Sequence, residues 1–208
     1  AAALAEKYFG VGQAYEDFVY LGITNGISAG IIADGRLYQE ESGMAGEIGH
    51  MSIQSDGPVC PCGNRGCLET FASIPVIQQA LRDAKGAELS VSPREFRTLY
   101  EDSICRQVFE EAADKLAVGV VNLCNLLAPQ AVILGHDGYF LPGTAMDHME
   151  ERINQQVIFR GHKEIRVMFS AFEDRAPLFG AVCTVLDRLF AGALPLHQGL
   201  GIASDAGE

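Results

Sequence analysis

One histidine and three cysteines lie close together in this sequence and constrain its fold more than any other feature. His50, Cys60, Cys62 and Cys67 follow the spacing H-x9-C-x-C-x4-C, so four potential metal ligands occur within eighteen residues. Zn²⁺ binds cysteine sulfur and histidine nitrogen tetrahedrally, and Cys₃His is one of its common structural shells. A disulfide is the alternative, but Cys60 and Cys62 are too close in sequence to pair without strain. We therefore predict a structural zinc site.

Two carboxylates flank these four residues. Glu47 lies three residues before His50, and Glu69 lies two residues after Cys67. Neither is needed to complete a zinc shell. Ionised carboxylates accept hydrogen bonds strongly from hydroxyl groups, which are the groups that a sugar offers. A metal site that holds two acids and an imidazole rigid would suit a polyol, whereas the alternative is that both acids are ordinary solvated surface charges.

The same stretch resembles the signature of the ROK family (repressors, open reading frames and sugar kinases). The signature is E-x-G-H followed by C-x-C-G-x-x-G-C-L-E, and this chain has EIGH from Glu47 and CPCGNRGCLE from Cys60. The resemblance implies that the histidine and the three cysteines bind zinc, and that Glu47, His50 and Glu69 contact the sugar. One ring nitrogen of His50 would then bind the metal while the other is directed at a hydroxyl group.

Composition and charge exclude several classes of protein. The chain has 208 residues, of which 48% are hydrophobic, and this suits a single domain with one sizeable core. Its formal net charge of -12 would repel nucleic-acid phosphates, so we expect DNA binding only through an absent N-terminal domain. No apolar run approaches a membrane span, and no signal segment opens the chain. Cys105, Cys124 and Cys183 lie in apolar, helix-like settings and are expected to be buried free thiols, which suits a reducing cytoplasm.

The pattern of elements predicts an α/β fold. Strands over Phe18–Ile23, Ile27–Ile32 and Arg36–Gln39 form an antiparallel three-stranded meander before the zinc-binding loop. Helices then alternate with strands over Ala131–Leu134 and Glu164–Phe169. The predicted helices are Ser73 to about Lys85, Ser92 to about Tyr100, Ile104–Ala128, Ala145–Gln156 and Pro177–Phe190. This order describes half of an actin-like, ribonuclease-H-like fold, as the family resemblance also implies.

The two ends of the chain carry separate predictions. AAALAEKYFG reads as the second half of a helix and resembles the end of the family segment N-D-x-N-x-x-A-x-x-E, with Glu6 as its last acid. The aspartate that serves the kinases as general base would then precede residue 1, together with the N-terminal lobe. We place a ROK-type sugar-binding and dimerisation domain over residues 1–194 and expect a disordered tail over 195–208.

Two glycine elements bear on nucleotide binding. Family kinases carry a G-T-G-I-G-x-G loop where this chain has TNGISAG, so Thr24, Asn25 and Ser28 replace expected loop residues. They also show paired glycines near the adenine, and here His136 takes the second position. The residues that could form a residual nucleotide loop are Gly26, Gly30 and Gly135. A plain turn explains the first element equally well.

Three functions fit these observations. The first is the sugar-sensing effector domain of a ROK-family transcriptional repressor, binding a monosaccharide or amino sugar and forming a homodimer. The second is the C-terminal lobe of a glucokinase-like enzyme that uses ATP and Mg²⁺ to phosphorylate a hexose or N-acetylhexosamine. The third is a zinc-stabilised oligomerisation module without a ligand. Because both glycine elements are eroded, the sequence favours the repressor over an enzyme.

Overall fold

A five-stranded mixed sheet lies at the centre of the computed structural model, which describes residues 1–38, 44–86, 88–89 and 91–191. The strands are β1 (Phe18–Ile23), β2 (Ile27–Ala33), β3 (Arg36–Leu37), β4 (Ala131–His136) and β5 (Arg166–Phe169). Their order across the sheet is β3-β2-β1-β4-β5. β1–β2 and β2–β3 pair antiparallel, whereas β1–β4 and β4–β5 pair parallel. The predicted meander is thus confirmed over the described residues, and Gln39 lies outside them.

Helices cover both faces of the sheet. They are α1 (Ala2–Phe9), α2 (Glu69–Ala72), α3 (Ile74–Lys85), α4 (Phe96–Leu99), α5 (Ser103–Leu127), α6 (Gly143–Gln156) and α7 (Ala176–Phe190). Along the described chain, none of them combines the length and apolar character that crossing a bilayer requires. The order of strands and helices confirms the predicted α/β fold class.

β1 is the central strand, and all six of its residues are buried. Side chains alternate between faces along a strand, so such a strand must be apolar throughout. Val19 and Leu21 enter a large core that also contains side chains of α3, α5 and α6. Phe18 and Tyr20 enter a smaller core on the other face, beneath α1 and α7. Burial on both faces explains why this segment reads as continuously hydrophobic.

The three-to-four spacing of apolar residues along α5 predicts one buried stripe, made of Ile104, Val108, Ala112, Leu116, Val120, Leu123 and Leu127. This prediction was partly wrong. The two ends of the stripe, Ile104 and Leu127, are 45% and 38% exposed, whereas Cys105 and Phe109 are buried. The predicted stripe advances by four residues at a time from Ile104 to Val120. Each such step turns about 40° beyond a full helical turn, so the stripe drifts around the helix. Side chains in the middle of the stripe face the core, and those at its ends do not.

Helix starts were predicted with mixed success. Ser92 and Glu95 form a capping box, in agreement with the expected start near Pro93. Ser73 stands at the N-cap of α3, but its side chain makes no capping hydrogen bond. The N-cap of α5 is Asp102, which the sequence pattern did not single out. The Asp102 carboxylate accepts from the backbone N–H of Ile104 at 3.0 Å and of Cys105 at 3.1 Å.

Three cysteines lie outside the candidate zinc site. Cys105, Cys124 and Cys183 are buried and unpaired, as predicted. Burial raises the pKa of Cys124 to about 12, so this thiol stays protonated at neutral pH. The tail that we expected to be disordered, residues 195–208, lies outside the described residues.

Glu6 of α1 is a fully buried carboxylate. One of its oxygens accepts from the Ser170 hydroxyl at 2.5 Å and from the Ala171 N–H at 3.1 Å. The other accepts from the Val11 N–H at 3.0 Å. Burial raises the pKa of Glu6, and these hydrogen bonds partly oppose the shift. Glu6 therefore fastens α1 to the chain that leaves β5.

Replacing Glu6 should destabilise the fold. In Glu6→Ala the buried Ser170 hydroxyl loses its acceptor, and so do the partly buried N–H donors of Val11 and Ala171. This should cost roughly 1–3 kcal/mol. Urea unfolding followed by circular dichroism would measure the loss. Glu101→Ala removes an exposed carboxylate and should stay within about 0.5 kcal/mol of the unmodified protein. Equal stabilities for the two variants would show that the Glu6 contacts do not hold α1.

Candidate metal and sugar site

The segment from residue 44 to residue 68 folds with little regular secondary structure. It contains a 3-10 turn at Ile48–His50 and two isolated antiparallel bridges, Ser52 with Cys67 and Val59 with Arg65. The two bridges fold the chain back on itself twice. This brings the cysteines near His50, although His50 and Cys67 are seventeen positions apart.

Two glycines let this segment pack against its own backbone and against the sheet. At Gly66, where φ is +64°, a Cβ atom would lie 1.6 Å from the Gln54 carbonyl oxygen. At Gly46, where φ is +93°, a Cβ atom would lie 1.9 Å from the carbonyl oxygen of Ala29 in β2. Only glycine fits such positions. This role of Gly46 was not predicted, because its place directly before EIGH was the only signal in the sequence.

The four predicted metal ligands converge. Their ligand atoms, on His50, Cys60, Cys62 and Cys67, all lie within 4.8 Å of one another. Cys60 Sγ lies 3.6 Å from His50 Nδ1, and Cys62 Sγ lies 3.7 Å from Cys67 Sγ. A tetrahedral zinc ion with ordinary bond lengths would separate two sulfurs by about 3.8 Å and a sulfur from a nitrogen by about 3.5 Å. The cluster therefore has the size of a zinc shell and could hold such an ion.

The sulfurs of this cluster differ in their surroundings. Cys60 and Cys67 are buried, whereas Cys62 is exposed. A hydrogen bond from the Asn64 backbone N–H, together with neighbouring thiols, lowers the pKa of Cys62, while burial raises the pKa of Cys67. A lowered thiol pKa favours the thiolate, which is the form that binds metals.

Glu69, the first residue of α2, joins this cluster to the sheet. Its Oε1 lies 3.1 Å from Cys60 Sγ and 3.5 Å from His50 Nδ1. Its Oε2 is directed toward the β1–β2 turn, where a Cβ atom on Gly26 would lie 3.2 Å away. The turn is itself tied to α3, because the Ile74 N–H donates to the Thr24 carbonyl at 2.9 Å. The contact between this turn and Glu69 was not foreseen from the sequence.

Three ionisable side chains are thus available beside the candidate metal site. The His50 side chain is 38% exposed and that of Glu69 is 17% exposed, so both are open to a ligand. His50 Nδ1 is the ring nitrogen that faces Cys60. Glu47 is exposed and directly precedes the turn that carries His50. Carboxylates accept hydrogen bonds and an Nδ1-bound imidazole donates through Nε2, so the group can satisfy hydroxyls, which do both.

The other glycines considered for a nucleotide loop lie in internal packing. A Cβ atom on Gly30 would approach the Ala3 side chain to 2.8 Å, and one on Gly135 would approach the Tyr20 hydroxyl to 1.9 Å. That hydroxyl also shares a hydrogen bond of 3.1 Å with Nδ1 of His136. His136 has a φ of +55°, which is uncommon outside glycine, and burial lowers its pKa.

Comparisons with known proteins agree with this architecture. A xylose repressor from Caldicellulosiruptor bescii is 32% identical over 204 residues, which cover 92% of this chain and 51% of the repressor. The crystal structure of a ROK family transcriptional regulator, a homologue of the Escherichia coli MLC protein, matches with a TM-score of 0.82 and 28% identity over 92% of this chain and 51% of that one. A ROK hexokinase from Thermus thermophilus matches with a TM-score of 0.77 and 28% identity, over 92% of this chain and 64% of the enzyme.

These matches extend over nearly the whole chain. The chain spans about half the length of the curated relatives it matches. The family model that describes the ROK family matches residues 1–188 of this sequence. This range includes the four candidate ligands, both flanking acids and all five described strands. This chain therefore belongs to the ROK family.

Proposed function

We propose that this chain is the sugar-sensing effector domain of a transcriptional repressor and that it holds a structural zinc ion. The observation that carries the proposal is the position of Glu69, whose Oε1 lies 3.1 Å from Cys60 Sγ and 3.5 Å from His50 Nδ1. One small cluster would thus supply both the metal ligands and the hydrogen-bonding groups for a sugar. The repressor named above, which is similar to this chain, supports a regulatory role and suggests a pentose as one effector to test.

The zinc ion would be held by His50 Nδ1 and by the sulfurs of Cys60, Cys62 and Cys67. Coordination through Nδ1 fixes the tautomer, so that Nε2 carries the proton and can donate to a sugar hydroxyl. Glu69 and Glu47 would accept hydrogen bonds from the same or neighbouring hydroxyls. When bound, the ion supplies no chemistry in this role, because it only fixes the positions of these side chains.

A kinase is the second candidate, since the solved hexokinase is similar to this chain over most of its length. Phosphoryl transfer requires donors and positive charge around the γ-phosphate, and in this family close backbone approach to phosphate uses glycines. Here Gly30 and Gly135 pack against Ala3 and Tyr20. Asn25 adds a side chain to the β1–β2 turn, and Ser28 adds one to β2, the strand that contains Gly30. These features favour a protein that recognises sugar without binding nucleotide.

The zinc proposal predicts one Zn²⁺ per chain. In small peptides such coordination contributes an apparent ~10–16 kcal/mol to the free energy of folding. Removal of the ion should therefore unfold the segment around the cysteines. Elemental analysis of purified protein should find stoichiometric zinc. Cys62→Ser should lose the metal, whereas Cys124→Ser, which changes a buried thiol elsewhere, should keep it. Protein that is folded and free of zinc would contradict the proposal.

The sugar proposal predicts that Glu47, His50 and Glu69 govern sugar binding. We expect this chain alone to bind its sugar weakly, since it spans only about half the length of the similar repressor. Titration with D-xylose, D-glucose and N-acetyl-D-glucosamine, followed by NMR, would find the effector. Glu69→Ala and Glu47→Ala should weaken binding at least about tenfold, because each removes a hydrogen bond to a charged group. Glu101→Ala is the matched control, and unchanged affinity in both site variants would place the sugar elsewhere.

The choice of repressor over kinase predicts no phosphoryl transfer by the whole protein. A coupled assay with ATP and Mg²⁺ should detect no turnover on hexoses or N-acetylated hexosamines. Turnover of about 1–100 s⁻¹, which is typical of kinases, would favour the second candidate instead. The homodimer expected from the resemblance also remains a prediction, and light scattering of the purified protein would test it.

A further inference from the structure

The three clustered cysteines differ in how easily a reagent in solution can reach them. Cys60 and Cys67 are 1% and 0% exposed, so their sulfurs face the protein. Cys62 lies on the surface. Among the described residues, no heavy atom apart from those of Gly63 and its two chain neighbours lies within 4 Å of the place where a Cβ on Gly63 would stand, so the loop is open on this side. Cys62 is therefore the sulfur of this cluster that a dissolved oxidant meets first.

A second sulfur, that of Cys67, lies close to the sulfur of Cys62. Cys62 Sγ lies 3.7 Å from Cys67 Sγ, and a disulfide bond requires about 2.05 Å. Four residues separate the two cysteines, and they include Gly63 and Gly66, which both have positive φ values. Such a short, glycine-containing loop can close by the remaining distance. Cys60 and Cys62, with one residue between them, cannot pair without strain.

We infer that Cys62 is a modification site for hydroperoxides, and that its oxidation forms a Cys62–Cys67 disulfide and releases the zinc ion. This inference rests on the proposed zinc site. Disulfide sulfurs are no longer thiolates, and the thiolate is the form that binds metal. The shell would fall from four ligands to two, His50 and Cys60.

The reaction balances with hydrogen peroxide as the oxidant. The Cys62 thiolate attacks one peroxide oxygen and the O–O bond breaks, which gives the sulfenic acid and releases hydroxide. The hydroxide takes a proton from solvent and becomes water. The Cys67 thiolate then attacks that sulfur, forms the S–S bond and displaces a second hydroxide. Two thiolates lose two electrons, and the peroxide gains them. Two protons from solvent and one peroxide end as two waters.

Oxidation of Cys62 would also disturb the proposed sugar site. Cys60 Sγ touches both Glu69 Oε1 and His50 Nδ1, at 3.1 Å and 3.6 Å. Once the ion leaves, His50 and Glu69 lose the centre that orients them. The chain would then respond to oxidants as well as to sugar, and a thiol reductant with added Zn²⁺ would reverse the response.

The test is to treat the zinc-loaded protein with hydrogen peroxide while a chromogenic chelator reports free zinc. We expect one Zn²⁺ released per chain and, by mass spectrometry of digests, a Cys62–Cys67 disulfide. Dithiothreitol and zinc should restore the starting state. Cys62→His keeps four zinc ligands in a Cys₂His₂ shell without the exposed thiol, so its release should be at least about tenfold slower. Cys124→Ser should release zinc at the unmodified rate.

The outcomes separate this inference from the proposal beneath it. Purified protein without zinc would overturn both. Zinc that is present but stays bound under peroxide would overturn the inference alone. A disulfide mapped to Cys60 or to Cys183 would do the same. Because the mapping uses the unmodified protein, the test stands even if Cys62→His fails to bind zinc.

Discussion

The contact of His50 with the clustered cysteines is the interaction on which the rest of the site depends. The surrounding segment has little regular secondary structure, since its described part contains one 3-10 turn and two isolated bridges. Besides its backbone hydrogen bonds, it is anchored by the buried side chains of Ile48, Leu68, Cys60 and Cys67. A metal ion would replace a core here, as it does in other small loops that cannot bury enough surface. The cluster positions Glu69, because the Glu69 carboxylate contacts Cys60 and His50 directly.

The sheet supplies the rigid support for this loop. β1 is buried on both faces, and the turn that follows it meets Glu69 through Gly26. β2 receives the loop on its other side, where the Ala29 N–H donates to the Gly46 carbonyl at 2.6 Å. The turn after a rigid strand and the loop with the candidate metal ligands thereby face one another. Such an arrangement would fix the proposed hydroxyl-binding groups without requiring the helices to move.

Local signals predicted the parts of this protein that depend on local spacing. The spacing of the ligands was enough to predict that His50 and the cysteines lie together. Apolar runs bounded by turn residues were enough to predict β1 and β2. Features that depend on distant partners were invisible. The hydrogen bond between Glu6 and Ser170 joins residues 164 positions apart, and nothing near either residue announces it. The drift of the α5 stripe was also missed, because the face of a long helix that is buried depends on what packs against it.

In the proposed function, the metal ion positions His50 and Glu69 for the sugar. The direct test compares sugar binding by NMR before and after chelation, with the sugar that binds the unmodified protein. We expect the sugar to shift the Glu69 amide and the His50 ring signals only in zinc-loaded protein, and added Zn²⁺ to restore the response. Equal sugar affinity in folded, metal-stripped protein would contradict it.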